Sequence, residues 1–195
     1  MKWAALSASG RPKRELLPPG GTARSAKGAP SGTFVSVGNA TQPFARLLDA
    51  VAAIAVGLPQ PVFVQFGSTP FRSADCESAQ WLAMADFEQR AAQAQLLILH
   101  AGAGSVIHAI RAGRVPVVMP RRARYGEHVD DHQLEFARTL AEAGRVVLAL
   151  EPGDLTAAVA EAMERQNASR PSQAPPPLVA MIDEVLRECA GSLRK

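Results

Sequence analysis

The chain has 195 residues, of which 47% are hydrophobic, and this length and composition suit one globular domain with a proper core. Its net charge of +3 is unevenly placed, because residues 1–32 carry six basic side chains against one acidic, which leaves 15 basic against 17 acidic in the remainder. The basic charge therefore does not indicate a nucleic-acid surface, and 5% aromatic residues provide no platform for stacking bases.

Residues 1–32 are rich in Gly, Pro, Ser, Ala and Arg and have almost no apolar periodicity, so we predict a disordered leader there. A misassigned start codon is the other explanation. No apolar run approaches the roughly 20 residues of a membrane span, and the N-terminus does not have the pattern of a secretory signal. Cys76 and Cys189 form no C-x-x-C motif, so we expect free thiols in a reducing cytosol rather than a disulfide or a metal site.

Strand and helix patterns alternate through the middle of the chain. Thr33–Gly38 is predicted to be the first strand, and a helix is predicted to start at Pro43, because apolar residues then recur at helical spacing. Residues 61–66 form the second predicted strand. Residues 71–82 show no clear pattern, and Asp86–Gln93 is predicted to be a helix.

The third predicted strand, Leu96–Leu99, leads into a glycine-rich turn and then a helix over Val106–Ala112, with Gly113 as its C-terminal cap. Val115–Met119 is the fourth strand and is closed by Pro120. The alternation predicts an α/β fold, a Rossmann-like parallel sheet with helices on both faces.

The pattern continues with a helix over Asp131–Ala143, ended by Gly144, and a fifth strand over Arg145–Leu150. Asp154 is expected to be the N-cap of a further helix. Ligands of such sheets bind beyond the carboxyl ends of the strands. The residues that follow predicted strands, and are therefore expected to converge on that edge, are Gly38, Gly67, His100 and Pro120.

The glycine-rich turn, His-Ala-Gly-Ala-Gly-Ser from His100 to Ser105, is a candidate anion site. The first turn of a helix has free N–H groups and partial positive charge, and Gly102 and Gly104 allow close approach to them. A tight turn without a ligand is the alternative. The spacing is not G-x-G-x-x-G, since Ile107 occupies the third position, and no Gly-Lys-Ser/Thr of a Walker A loop follows.

Four segments together resemble the C-terminal half of family 28 glycosyltransferases. They are HAGAGS, the Ala-Gly-x-x-Pro helix end, the following Pro-Arg and GEHVDDHQ. The similarity is strongest to the short stand-alone Alg13-like and PssE-like subunits, and it extends from about residue 34 to residue 150. It implies the C-terminal, donor-binding half of a GT-B glycosyltransferase. We therefore predict a UDP-sugar-binding domain over residues 33–168, followed by a linker and an amphipathic helix over residues 169–195.

The resemblance, together with the loop positions, assigns a set of candidate donor-binding residues. His100 would border the donor diphosphate, although hydrogen bonding to neighbouring loop backbone is an equal alternative. Arg121 would have a structural or phosphate-binding role, and the Asp and Gln of the last motif would contact the donor sugar. One of the aspartates is also expected to cap the helix that follows. The candidates are Gly38, His100, Gly102, Ala103, Gly104, Ser105, His108, Arg121, Asp130, Asp131 and Gln133.

His108 departs from the family pattern, in which several members have a glutamate that binds the ribose hydroxyls. A neutral imidazole accepts one hydrogen bond whereas a carboxylate accepts two, so ribose binding through this residue is in doubt, and a histidine without a ligand is the alternative. His128 and His132 are four residues apart, but no third ligand has the spacing of a metal site, and there is no Asp-x-Asp motif. We therefore expect neither a metal nor another cofactor.

The resemblance implies the donor-binding subunit of a two-component hexosyltransferase, cytoplasmic and held at the membrane by an Alg14-like or PssD-like subunit that binds a lipid-linked acceptor. This chain offers no obvious general base, so the partner would supply it. An apolar stripe over Leu178–Cys189 would dock on the partner or cover its own sheet. A regulatory subunit with a decayed nucleotide site is the alternative function; a sugar-nucleotide epimerase would need a longer chain.

Overall fold

Residues 31–168, the part of the chain that the computed structural model describes, contain six parallel strands and five α-helices. The strands are β1 (Thr33–Ser36), β2 (Val62–Gln65), β3 (Glu77–Ala79), β4 (Leu96–His100), β5 (Val117–Met119) and β6 (Val147–Leu148). The helices are α1 (Ala45–Ile54), α2 (Met84–Gln93), α3 (Ala103–Arg111), α4 (His132–Glu142) and α5 (Leu155–Ala168).

The strand order is β3-β2-β1-β4-β5-β6. β2 and β3 therefore lie on one side of β1, and β4, β5 and β6 follow on its other side. Ser36 at the end of β1 is in register with Leu99 near the end of β4. The two strands therefore finish at the same level, and the connections that leave them diverge. A doubly wound sheet forms its ligand crevice at this point, where the strand order reverses.

The two faces of the sheet are covered by different helices, as the sequence predicted. Val35 and Ile98 point to the face covered by α1 and α5, whereas Phe34, Leu97 and Leu99 point to the face covered by α2, α3 and α4. All five side chains are at most 2% exposed. Because both faces are buried, the central strands are apolar throughout rather than alternating, as is usual for parallel sheets.

Five strands lie where the sequence placed them, with bounds shifted by a few residues, but β3 was not predicted. It lies within residues 71–82, has only three residues, and pairs at the sheet edge with β2. Glu77 and Ser78 are exposed, so no apolar pattern marks this strand. The helix α3 also begins at Ala103, three residues earlier than expected, which places Gly104 and Ser105 inside its first turn.

The glycine caps are confirmed, because Gly113 and Gly144 have φ of 73° and 68° just after α3 and α4. The expectation that Asp154 is the N-cap of the last helix is wrong. Glu151 is the N-cap of a short 3-10 turn that leads into α5, and Asp154 is the third residue of that turn. The carboxylate of Asp154 accepts hydrogen bonds from the backbone N–H groups of Leu150 and Glu151, which forms a capping box.

The residues ahead of β1 are bonded to the domain from Ser31 onward. The Ser31 N–H donates to the Gln93 carbonyl at 2.9 Å, and the Gly32 carbonyl accepts from the N–H groups of Gln95 and Leu96. Residues 1–30 of the predicted leader and the predicted C-terminal helix lie outside the described residues, as does Cys189. Within residues 31–168, Cys76 is a free thiol and no helix is long and apolar enough to cross a membrane.

We predict that a chain truncated to start at Ser31 melts at the same temperature as the full chain, whereas one that starts at Thr33 melts about 4 °C lower or more. The second truncation removes three backbone hydrogen bonds, each of which contributes roughly 1 kcal/mol. Thermal unfolding followed by circular dichroism measures both. Equal melting temperatures for the two truncations would contradict the role of Gly32.

Candidate functional site

An open cleft of about 560 Å³ lies beyond the carboxyl ends of β1 and β4, where the strand order reverses. It is lined by the ends of β1, β2 and β4, the loop after β1, the first turns of α3, and α2 with the loop before it. Seven of the eleven candidate donor-binding residues line this cleft: Gly38, His100, Gly102, Ala103, Gly104, Ser105 and His108.

The N-terminus of α3 forms the polar end of the cleft. Gly102 is the N-cap residue with extended backbone, and no side chain caps the helix. The first N–H group that bonds back within the helix is that of Val106, to the Gly102 carbonyl. The N–H groups of the three preceding residues have no acceptor within the helix, and the first turn has no acidic residue. This end of the cleft therefore attracts an anion.

The ring of His100 occupies the space between two glycines of the cleft. A Cβ atom on Gly38 would lie 2.4 Å from the His100 ring, and one on Gly102 would lie 2.1 Å from its Nε2 atom. Gly38 also has a φ of 74°, which disfavours other residues. A Cβ on Gly104 would meet nothing within 4 Å. Gly102 therefore accommodates the histidine ring, and only Gly104 leaves open space for a ligand.

His100 is neutral at pH 7. Burial of the ring, followed by the positive charge of Arg121, lowers the pKa of His100 from 6.5 to about 4. Its Nδ1 atom lies 3.4 Å from the Ser36 carbonyl oxygen, so the single proton is placed there and Nε2 is an acceptor. In this tautomer His100 accepts a hydrogen bond from a ligand hydroxyl, and donation to a phosphate oxygen through Nε2 requires a second proton.

The floor of the cleft contains a polar pair that the sequence did not single out. The hydroxyl of Ser36 donates to Gln65 Oε1 at 2.6 Å and accepts from the Gly38 N–H at 3.3 Å. Gln65 Nε2 donates to the Gly38 carbonyl at 3.2 Å. The last residues of β1 and β2 thus fix both backbone groups of Gly38 next to His100. Neighbouring strands bring these side chains together, and no sequence motif marks them.

Arg121 lies beneath the cleft rather than in it, with 1% of its surface exposed. Its two terminal nitrogens donate to the carbonyls of Val37 at 2.8 Å, Gln42 at 2.8 Å and Glu127 at 3.1 Å, and its guanidinium lies 4.7 Å from the ring centroid of Phe44. Burial lowers the pKa of Arg121 to about 10, which still leaves it charged. Of the two roles expected for Arg121, this geometry fits the structural one.

The other three candidates outside the cleft also have local partners. Gln133 is 6% exposed, and its Oε1 atom accepts a hydrogen bond from the backbone N–H of Arg121 at 3.2 Å. Asp131 occupies the N-cap position of α4, but its carboxylate accepts from the Ala123 N–H at 2.9 Å. Asp130 supplies the helix-capping bond instead, because its Oδ1 accepts from the N–H of His132 at 3.2 Å. Spacing along the chain indicated that one aspartate would cap this helix, but not the contacts of Gln133 and Asp131.

Glu88 is the carboxylate that the sequence reasoning missed. It lies in the middle of α2 and lines the cleft opposite His108, whose Nδ1 atom is 3.8 Å from Glu88 Oε1. The ring of Phe87 packs edge-on against His108, with centroids 6.2 Å apart. Both members of the pair are partly exposed, with side-chain exposures of 36% for His108 and 47% for Glu88. The cleft therefore contains a carboxylate, contributed by the helix next to α3.

A second acidic residue, Glu127, holds the loop between β5 and α4. It is 4% exposed and accepts hydrogen bonds at 2.9 Å from both Nε and a terminal nitrogen of Arg46. It also accepts from the Arg122 N–H at 3.0 Å. Arg46 in turn donates to the carbonyls of Pro120 and Leu150. This loop is therefore fixed to α1 at one side of the cleft.

We predict that the fit of His100 against Gly102 is measurable as a coupling between the two positions. Gly102→Ala should destabilise the wild-type protein by about 1–3 kcal/mol, because the new Cβ overlaps the ring, and should cost much less in a His100→Ala background. Urea unfolding of the four proteins in this double-mutant cycle gives the coupling free energy. Gly104→Ala is the control, and additive effects at positions 100 and 102 would contradict the packing.

We also predict a pH dependence of stability from His100. The unfolded chain binds a proton below pH 6.5, whereas folded His100 does so only below about pH 4, so the free energy of unfolding falls as pH decreases through this window. The loss approaches about 3 kcal/mol at pH 4 and then levels off. Urea titrations of wild type and His100→Gln from pH 4 to 7 give the free energy of unfolding at each pH. The difference between the two proteins in its slope against pH isolates the contribution of His100. Parallel pH profiles would show that His100 titrates normally in the folded state.

Comparisons with known proteins found one family and several solved structures that this chain resembles. No curated protein matches the chain. Among solved structures, the glycotransferase of kitacinnamycin is 20% identical with a TM-score of 0.55, over 88% of this chain and 42% of that protein. The spinosyn forosaminyltransferase SpnP is 13% identical with a TM-score of 0.50, over 90% of this chain and 44% of that protein. MurG of Acinetobacter baumannii is 20% identical with a TM-score of 0.47, over 82% of this chain and 51% of that protein.

At these identities the first two structures inform the fold alone, and that fold is GT-B. The chain spans less than half the length of either protein, which agrees with one of the two halves of the GT-B architecture. The glycosyltransferase family 28 C-terminal domain matches residues 33–179, about three quarters of the chain. This protein therefore belongs to glycosyltransferase family 28 and has the fold of the C-terminal half of a GT-B enzyme.

Proposed function

We propose that this chain is the donor-binding subunit of a glycosyltransferase that uses a UDP-sugar. The observation that carries the proposal is the uncapped N-terminus of α3, which presents free N–H groups to an open cleft at the point where the strand order reverses. The diphosphate would lie against Ala103, Gly104 and Ser105, with the Ser105 hydroxyl as an additional donor. Family membership supports a nucleotide-sugar ligand over other anions.

In this proposal the helix N-terminus has the catalytic task of stabilising the leaving group. The acceptor hydroxyl oxygen bonds to the anomeric carbon, the bond from that carbon to the β-phosphate oxygen breaks, and its electron pair leaves with UDP. The N–H groups of α3 would stabilise the negative charge that develops on the diphosphate. Arg121 would not share this task, because carbonyl oxygens already occupy both of its terminal nitrogens.

Glu88 would bind the ribose hydroxyls in place of the glutamate that His108 replaces. His108 is three residues after Ser105, about 4.5 Å along the axis of α3, so the Glu88–His108 pair would be close to a ribose attached to the diphosphate. A carboxylate accepts hydrogen bonds from two adjacent hydroxyls, which a neutral imidazole does not. Together these positions support a cleft that takes the diphosphate at one end and the ribose one turn further along.

The acceptor-binding half and the general base are proposed to belong to a second polypeptide, an Alg14-like or PssD-like subunit at the membrane that holds a lipid-linked sugar. Support comes from the resemblance to the short stand-alone subunits of this family; the chain spans 42% and 44% of the two GT-B structures above. The general base of this partner would take the proton of the acceptor hydroxyl. The predicted helix over Leu178–Cys189 would dock on it, outside the described residues.

A non-catalytic regulatory subunit is the second candidate function. It is favoured by one observation: Gln133, which the resemblance assigns to the donor sugar, is buried and bonded to Arg121. Calorimetric titration of UDP into the full chain separates the two functions, because a decayed nucleotide site would not bind. Binding of UDP, followed by sugar transfer when the partner is added, supports the catalytic subunit.

We predict that Gly104→Val abolishes UDP binding and leaves the fold intact. The side chain would project into open space of the cleft, where the diphosphate is expected, and would meet no protein atom within 4 Å of its Cβ. Gly57→Val is the matched control, because Gly57 also faces open space but lies outside the cleft. Unchanged UDP affinity in Gly104→Val, with native circular dichroism, would exclude this turn as the phosphate site.

We predict that Glu88→Gln weakens the binding of UDP about tenfold and weakens that of 2′-deoxy-UDP less, because 2′-deoxy-UDP lacks one of the two hydroxyls that Glu88 would bind. A hydrogen bond to a charged group contributes about 1.5–3 kcal/mol, and about 1.4 kcal/mol corresponds to tenfold in affinity. Glu161→Gln on α5 is the control. If wild type binds UDP and 2′-deoxy-UDP equally, Glu88 does not bind the ribose hydroxyls. The proposal that the cleft binds UDP would be unaffected.

A further inference from the structure

Three side chains converge at the loop ahead of α4, outside the cleft. His128 Nδ1 lies 3.1 Å from Asp130 Oδ1, and His132 Nδ1 contacts the same oxygen. The two imidazole rings are nearly perpendicular, with centroids 4.7 Å apart. One ligand atom from each residue lies within 4.8 Å of the others. Asp130 therefore completes a three-residue group that the spacing along the chain did not indicate.

We propose that His128, Asp130 and His132 form a binding site for one divalent transition-metal ion, with Zn²⁺ as the expected occupant. Two imidazole nitrogens and one carboxylate oxygen are the ligand types that Zn²⁺ takes, and a three-residue set leaves a coordination position for water or a ligand. Mg²⁺ and Ca²⁺ prefer sites made of oxygen atoms and fit this set less well. The inference does not depend on the proposed donor site.

The contacts of His128 Nδ1 suit a metal ion. Its Nδ1 atom faces the Asp130 carboxylate oxygen at 3.1 Å and also the Asp130 backbone N–H at 3.4 Å. The first contact requires a proton on Nδ1, whereas the second requires a lone pair, so no neutral tautomer serves both. A metal ion between Nδ1 and the carboxylate would use the lone pair and the negative charge together.

The loop that carries these residues is held in place on both sides. Glu127, before His128, is bound by Arg46, and Asp131, between the other two ligands, accepts from the Ala123 N–H. The ligand side chains themselves have room to adjust, since Asp130 is 47% exposed and His132 is 58% exposed. A fixed backbone with adjustable side chains allows the ring nitrogens to close to metal-bonding distance, about 2.0–2.1 Å for Zn–N.

The test is titration of ZnCl₂ into the untagged full chain, stripped of metal beforehand, by calorimetry at pH 7.5. We expect one Zn²⁺ per chain in wild type, with affinity at least tenfold lower in Asp130→Asn and in His132→Ala and lost in the His128→Ala/His132→Ala double variant. Affinity should also decrease as the pH is lowered, because metal binding releases protons from the ligands. Visible absorption of bound Co²⁺ gives a direct reading of nitrogen and oxygen coordination.

His108→Ala and Cys76→Ser are the matched controls, because each removes a possible ligand elsewhere in the described chain. Both should bind Zn²⁺ as wild type does. If wild type binds no Zn²⁺, the three residues form only a hydrogen-bonded cluster and the proposal is overturned. Wild-type affinity in the double variant, with native circular dichroism, would equally overturn it, as would loss of binding in either control.

Discussion

The buried charge of Arg121 is the constraint on which the ligand edge of this protein depends. An unpaired guanidinium inside a protein is costly, but here its two terminal nitrogens donate to three backbone carbonyls and its central carbon lies 4.7 Å from the ring centroid of Phe44. Two of those carbonyls, of Val37 and Gln42, belong to the connection after β1, and the third belongs to the loop after β5. One side chain therefore fixes two crossing connections relative to each other.

The same charge acts on His100, which lines the cleft above it. Burial and then Arg121 disfavour the imidazolium, so the ring stays neutral, and a neutral ring fits against backbone where a charged one would need solvent or an anion. The ring in turn explains Gly38 and Gly102, since a Cβ at either position would overlap it. A glycine pattern that resembles a ligand cradle is thus divided between two tasks, packing at Gly102 and open space at Gly104.

The edge of the sheet combines two separate chemistries. Inside the cleft, the N-terminus of α3 attracts an anion, and Glu88 of α2 places a carboxylate 3.8 Å from His108 of α3. Outside it, the loop ahead of α4 brings His128, Asp130 and His132 together. The two regions share a backbone framework, because Arg46 and Glu127 hold the loop that Arg121 connects to β1. A ligand at either region would therefore bind to a preformed surface.

The sequence by itself determined the features that depend on neighbours along the chain. Apolar periodicity and helix-ending glycines predicted the parallel sheet, its two helical layers and the helix that follows β4. Tertiary structure alone decided what depends on distant residues. β3 has no apolar pattern, Glu88 enters the cleft from another helix, and Gln133 turns inward to Arg121. Periodicity reports which face of an element is buried, whereas the convergence of polar side chains depends on how separate elements pack, which spacing along the chain does not encode.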